Sequence, residues 1–305
     1  MIPYLLFYKI VQLFVVMFLG FALVKLKVLK GSESKTLSKL ALYILMPAVL
    51  INSFDISLTG EIKNGLILAF LAAITVHILL FITDALYSRI VKPTGAERAS
   101  VIYSNAANLI IPIVSFILGE EWIIYTCAFV AVQIIFIWTK GVALFDKSSK
   151  KDFRKIIFNP CILATLTGLS FMLFGVRLPG FVRDISSSLG SMVGNVGMLI
   201  SGMLMADVSF KEIFSNKRVY LAVIMRMAVC PFLVLCLLKF GLLFVNIKNA
   251  QNILLITFLA SMTPSASMVT QLSQVYNSDE KLAVAINIVS TLICIVTMPM
   301  FVLLF

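Results

Sequence analysis

Two stretches of small polar residues interrupt apolar segments of this 305-residue chain, each around a proline. They are Ser104-Asn105-Ala-Ala-Asn108-Leu-Ile-Ile-Pro112 and Ala260-Ser261-Met-Thr263-Pro264-Ser265-Ala-Ser267, with Gln271 one turn further on. A proline inside a membrane helix removes a backbone donor and clashes with the preceding turn, leaving carbonyls that hydrocarbon cannot solvate. If each second half-helix restarts at its break, its positive end points at the break, where free amides favour an anion. Asn105, Asn108, Thr263, Ser265, Ser267 and Gln271 add hydrogen-bonding groups without charge, and Pro112 and Pro264 mark the breaks. Such a site suits a carboxylate carried on a modest organic body. A cation is the competing guest, since freed carbonyls and half-helix C-termini hold sodium in some carriers. The plain alternative is two proline kinks whose neighbours bond back to their own helices. Recurrence of the pattern about half a chain apart argues against it, because matched broken segments in two halves point to a carrier's substrate site.

The elements that must position these residues are membrane helices. The chain is 61% hydrophobic and 13% charged, with a mean hydropathy of +1.06, beyond the range of an ordinary soluble domain. At about 20 residues per crossing, ten spans are expected, at residues 4–24, 38–56, 65–88, 98–119, 122–145, 156–175, 185–206, 218–243, 250–276 and 282–304. The first lacks a basic leading segment and reads as a membrane helix rather than a cleaved signal. The expected fold is therefore an all-α integral membrane protein. Two five-helix repeats, residues 1–150 and 151–305, follow from parity: with five crossings in the first half, the second enters the membrane upside down. Sliding the chain by 150 residues lays Phe21-Ala-Leu23 on Phe171-Met-Leu173, and sliding it by 152 lays Pro112 on Pro264. In this arrangement the fourth and ninth spans run antiparallel, so their breaks can cross at mid-membrane.

The net charge of +11 is distributed between the apolar runs rather than on one face, which favours cytoplasmic loop charge over nucleic-acid binding. Lys25, Lys27, Lys30, Lys35, Lys39, Arg89, Lys92, Arg98, Lys140, Lys147, Lys150, Lys151, Arg154, Lys155, Lys211, Lys217, Arg218 and Lys281 fall on one side. Lys9, Lys63, Arg177, Arg183, Lys239 and Lys248 fall on the other. The richer side is assigned to the cytoplasm of a cell membrane, which leaves both termini outside it.

Further motifs carry a family resemblance. Leu37-Ser38-Lys39-Leu40 leading to Pro47-Ala48, Asn105 seven residues before Pro112, Ala260-x-x-x-Pro264-x-Ala266 leading to Tyr276, Ser290-Thr291-Leu292 and Val296-Thr297-x-Pro299 together resemble the auxin efflux carrier family over essentially the whole chain. The resemblance implies ten helices in inverted repeats. A scaffold would come from residues 1–60 and 156–210, and a transport domain from 61–150 and 211–305 that moves against it as an elevator. It also implies an organic-anion substrate, a carboxylate-binding asparagine at Asn105, crossover prolines at Pro112 and Pro264, and a homodimer formed through the scaffold helices. The family's glycine two residues before the first proline is Ile110 here, so substrate identity does not carry over. A short Lys-rich linker, residues 146–155, replaces the long loop of many plant members.

Ionisable groups at membrane depth are functional hypotheses, because inserting one costs about 2.5–3.5 kcal/mol or more. Asp84 and Arg226 are expected at similar depths in the third and eighth spans, about 4–5 Å apart along the normal, and are expected to pair. That pair would be internal glue, or Arg226 would meet a second substrate carboxylate. His77, two turns from Asp84, reads as a hydrogen-bonded core histidine or a proton carrier. Asn287 is a second-rank pocket residue, and Lys140 is expected to reach the interface. Cys127, Cys161, Cys230, Cys236 and Cys294 read as small hydrophobes in apolar runs. No cofactor or metal motif is present, since H-E-x-x-H needs two histidines and G-x-x-x-x-G-K-[ST] does not occur. An enzyme is disfavoured, and the reading is a secondary carrier of small organic anions working by facilitated transport or efflux. The alternative is a sodium- or proton-coupled symporter of the bile acid type.

Overall fold

The computed structural model describes residues 2–145, 158–206, 216–276 and 278–305. The Lys-rich linker 146–155, with Lys147, Lys150, Lys151, Arg154 and Lys155, and also Lys211, lie outside them. Twelve helical segments follow one another among the described residues. They are α1 (Ile2–Lys25), α2 (Gly31–Ser53), α3 (Gly60–Val91), α4 (Gly95–Ile102), α5 (Ala106–Ile117), α6 (Glu120–Phe145), α7 (Pro160–Leu173), α8 (Gly180–Ala206), α9 (Lys217–Leu242), α10 (Ala250–Ser261), α11 (Ser267–Val275) and α12 (Glu280–Leu304). Seven of them are long and apolar enough to cross a membrane, and α5, α7 and α10 are shorter apolar helices.

Local chemistry sets the helix starts. The Thr94 hydroxyl accepts from Glu97 N while the Glu97 carboxylate accepts from Thr94 N, a capping box that opens α4. Asn159 caps α7 by accepting from Cys161 N and Ile162 N, ahead of Pro160 at a position where its missing N–H costs nothing. Thr59 and Asn216 do the same for α3 and α9. The spans expected at 98–119 and 250–276 are each two helices with an extended joint, at residues 103–105 and 262–266.

Three wide, π-helical turns interrupt the long helices, at Ala41–Leu45 in α2, Ile137–Gly141 in α6 and Met225–Val229 in α9. Such turns are frequent at functional positions; residues of the first two line the cavity described below, and the third carries Arg226, which bonds to the second joint. Close packing depends on glycine where α1 crosses α8. A Cβ on Gly20 would collide with the Leu199 backbone, and one on Gly202 with the Met17 carbonyl. Small residues let membrane helices approach this closely and gain van der Waals contact without a hydrophobic drive. On α3, Ile67, Leu71, Ile74, Ile78, Ile82 and Leu86 face outward, while Ala69, Ala73, Val76, His77, Leu80 and Asp84 are buried. This inversion, apolar outside and polar inside, is the pattern of a helix solvated by lipid.

Candidate functional site

The two joints meet. Ser104 and Ser265 pair as a single antiparallel bridge, with Asn105 N donating to the Pro264 carbonyl at 2.8 Å and Ala266 N to the Tyr103 carbonyl at 3.0 Å. Each joint thus satisfies the backbone groups that breaking the other helix frees. Leaving them unpaired in a buried site would cost about 1–3 kcal/mol apiece. The remaining groups are taken up by side chains from neighbouring helices. Gln133 of α6 accepts from Ser104 N at 2.9 Å and Ser104 Oγ at 2.6 Å, and its Nε2 donates to the Ser104 carbonyl at 2.8 Å. On the other joint, Asn287 Nδ2 of α12 donates to the Ser265 carbonyl at 2.5 Å, and Ser290 Oγ accepts from Ser265 N at 3.2 Å. Asn287 is therefore a clamp on the joint rather than a wall of the cavity beside it.

Pro112 and Pro264 are not equivalent, contrary to the expectation that each marks a break. Pro264 lies in its joint, whereas Pro112 lies within α5, past the joint at Ser104. The bridge pairs residues 265 − 104 = 161 apart, not the 152 that aligning the prolines demands. A proline in α5 removes a single helical bond, whereas the joint lies where the chain leaves helical geometry and pairs across.

A cavity of about 90 Å³ opens beside the crossing, several times the ~10–15 Å³ that one water requires. Its wall includes Asn105, Asn108, Ser267 and Gln271 of the sequence-expected set, together with Ser38, Ser104, Ala107, Gln133, Ala266 and Met268. Among the described residues, no charged one lines it. Residues of two of the wide turns, Ala41, Leu42 and Ile137, complete the wall. The first turns of α5 and α11 both border the cavity, so two positive helix ends, worth roughly half a charge each, converge on one space. Asn105 Oδ1 accepts from Asn108 Nδ2 at 3.0 Å, which leaves the amide group of Asn105 as a donor for a guest. Among the described residues, the Ser267 hydroxyl, on the wall, and the buried Ser265 hydroxyl have no hydrogen-bond partner. Thr263, Pro264 and Ser265 belong to the crossing itself: Thr263 Oγ1 donates to the Ala260 carbonyl, and Thr263 is fully buried.

A second, larger cavity of about 790 Å³ lies on the far side of α5, among Lys9, Asn52, Asp55, Pro112, Glu120 and Arg183. The two cavities share no wall residue. Between them, Asn108 and Pro112 press on α8 where it carries glycine. A Cβ at Gly197 would lie 2.5 Å from Asn108 Cγ, and one at Gly194 2.6 Å from Pro112 Cγ.

The expected Asp84–Arg226 pair does not form. Asp84, on α3, is held by Arg98 of α4, with Nε at 3.1 Å from both carboxylate oxygens and Nη2 at 2.6 Å from Oδ2. Arg226, fully buried in the wide turn of α9, donates only to backbone carbonyls. Nε reaches Thr263 at 2.9 Å, Nη1 reaches Val101 at 3.0 Å and Ile102 at 3.3 Å, and Nη2 reaches Ser261 at 2.5 Å and Thr263 at 2.7 Å. These carbonyls end α4 and α10, where helix geometry leaves acceptors unmatched. The fork of an arginine satisfies more of them than any other side chain. His77 is fully buried between the rings of Phe129 and Phe136, at 5.0 and 5.3 Å, with Nδ1 2.7 Å from the Ala73 carbonyl and Nε2 unpartnered. It borders neither cavity. Lys140 lies 4.2 Å over the Phe81 ring.

The pattern of broken segments singles out neither Gln133 nor Arg98, and Ser290 stands in the sequence only as part of the family motif. A lone amide in the apolar run of α6 is the signal that marks Gln133, since such a group needs a partner in the membrane. Arg98 was counted among loop charges.

A family model described as membrane transport protein matches the chain twice, over residues 5–152 and 143–302. No curated protein matches it. The family is one of transporters rather than enzymes. With its series of apolar helices and both halves matched, this multi-pass membrane protein belongs to the auxin efflux carrier family of membrane transport proteins.

Proposed function

We propose that the chain is a secondary carrier of small organic anions, with the cavity beside the crossing as its substrate site. The observation that carries this reading is the convergence of two half-helix N-termini on a space walled by uncharged donors, among them Asn105 and the unpartnered Ser267 hydroxyl. An anion entering there gains two helix ends and several N–H and O–H donors and meets no carboxylate among the described residues. The apolar part of the wall, including Val130, Ile134 and Met268, suits the body of a carboxylic acid.

Ten crossings fit the fold if α4 with α5 and α10 with α11 each count as one. The two family matches, one over each half, support inverted five-helix repeats. On this reading α3 to α6 and α9 to α12 form the transport body, and α1, α2, α7 and α8 the scaffold. The distribution of polar contacts supports that division. Asp84–Arg98, Glu97–Arg218 and Glu61–Lys248 tie the first set together, and Asp55 with Arg177 and Arg183 ties the second. Across the boundary, α5 meets α8 through Asn108, Pro112 and glycine, a surface with few directional bonds to break during sliding. Alternating access then moves the crossing past α8, exchanging the 90 Å³ cavity for the 790 Å³ vestibule. Both termini lie on the vestibule's side, outside the cytoplasm of the cell membrane, and two scaffolds meet in a homodimer.

A thermal-shift screen of purified protein against short mono- and dicarboxylates and indole acids tests the site. At a ligand concentration of about a hundred times Kd the wild type gains about 2.7 kcal/mol, and Asn105→Ala loses most of that response. If no anion stabilises the wild type, or if the variant responds equally, the reading fails.

A further inference from the structure

The crossing has two electrical ends, and only one of them faces the cavity. On the other, the C-terminal ends of α4 and α10 point at one another, and carbonyls of Val101, Ile102, Ser261 and Thr263 converge on a small volume. Broken membrane helices use this kind of carbonyl cluster to coordinate a free sodium ion. Here a side chain fills it. The Arg226 guanidinium makes five donor contacts to those carbonyls, is fully buried, and pairs with no carboxylate among the described residues.

The charge balance gives this arrangement a consequence. Each helix end is worth roughly half an elementary charge, negative at a C-terminus and positive at an N-terminus. The two C-terminal ends of α4 and α10 offset the Arg226 charge, and the two N-terminal ends of α5 and α11 are left with about one positive charge facing the cavity. Without the guanidinium, the ends of the four half-helices sum to zero, and the uncompensated C-terminal ends of α4 and α10 weaken the attraction of the α5 and α11 N-termini for an anion. We propose that Arg226 is a built-in counter-charge, a protein-bound substitute for a coupling cation, so that anion binding needs no soluble cation and removing the guanidinium creates a need for one. This rests on the carrier reading above. It also assigns the site a preference for one negative charge, since a second would be left without a matching positive end.

The test measures binding of acetate and malonate to purified protein by thermal shift and calorimetry, in sodium chloride and in choline chloride. Wild type is expected to bind equally in both salts. Arg226→Ala is expected to lose about tenfold or more in affinity in choline, because the counter-charge behind the crossing is gone; tenfold is about 1.4 kcal/mol. Sodium, lithium or guanidinium ions restore its binding in proportion to their concentration. A merely structural arginine would not yield a variant that becomes cation-dependent. Should Arg226→Ala fail to fold, Arg226→Lys carries the test: it keeps the charge and is expected to bind in choline without sodium. Sodium-dependent binding by wild type or by Arg226→Lys overturns the proposal. So does a folded Arg226→Ala that binds like wild type in choline, or one that no cation restores. If no carboxylate binds wild type in any salt, the carrier reading itself falls. If binding occurs only with sodium, that reading stands and this one does not.

Discussion

Replacing Gln133 by Leu tests whether the crossing is held by side chains from outside it. Gln133 Oε1 is the acceptor for the Ser104 amide and hydroxyl, and Nε2 is the donor to the Ser104 carbonyl. Leucine fills a similar volume and offers none of these groups. Ser104 is 2% exposed, so bulk water does not hydrate its backbone groups in place of the amide. The hydroxyl can rotate toward another acceptor, but the N–H and C=O cannot, which strands two backbone groups at about 1–3 kcal/mol each. The expected loss is about 2–6 kcal/mol, well above the ~0.6 kcal/mol average measured for a single side-chain hydrogen bond between membrane helices. Equilibrium unfolding in mixed micelles measures it. Thr297→Val is the reference substitution, because Thr297 Oγ1 only bonds back to the Ile293 carbonyl of its own exposed helix face. If Gln133→Leu costs no more than Thr297→Val, the clamp is not what holds the Ser104 joint, and the satisfaction argument for the whole crossing fails.

Other expectations follow from the same contacts. Gly197→Ala places a methyl 2.5 Å from Asn108 Cγ, so Asn108 must shift out of the cavity wall. Overpacking of this kind costs about 1–3 kcal/mol, and uptake into proteoliposomes is expected to fall while the protein still purifies as a folded species. Asp84→Asn strands Arg98, and the loss is expected at about 2 kcal/mol, below the 3–5 kcal/mol of fully buried pairs because Arg98 is about one-third exposed. Arg98→Gln in the same chain is expected to recover part of it, whereas adding Arg226→Gln is not, a contrast that a double-mutant cycle reads directly. His77→Gln is expected to leave the pH profile of transport unchanged, since the imidazole bonds only to its own helix and borders neither cavity. An altered profile would make it a proton carrier.

The run of apolar spans and the place of the broken segments were legible in the sequence, because lipid imposes length and hydropathy on a helix whatever it packs against. Asn105, Asn108, Ser267 and Gln271 were legible as wall residues for the same reason: small polar side chains clustered in an apolar span need a purpose. Pro112 misled because a proline marks where a helix can bend, while a joint forms where a partner waits to pair with it. Depth along the membrane normal made Asp84 and Arg226 look like partners. Depth says nothing of the angle around the helix, and Arg98 and the carbonyl ends of α4 and α10 were the nearer claimants. The wide turns in α2, α6 and α9 left no sequence signal that was read. They depend on how neighbouring helices press together, yet they place Ala41 and Ile137 on the cavity wall and Arg226 at the crossing.

An anomalous-diffraction map of the protein grown with 4-bromobenzoate, whose aryl bromide does not alkylate the free cysteines, locates a carboxylate independently of any variant. The account predicts a bromine peak in the smaller cavity, with the carboxylate within hydrogen-bonding reach of Asn105 and Ser267 at the first turns of α5 and α11. A bromine peak confined to the outer vestibule, or two joints that do not pair at Ser104 and Ser265, would contradict it.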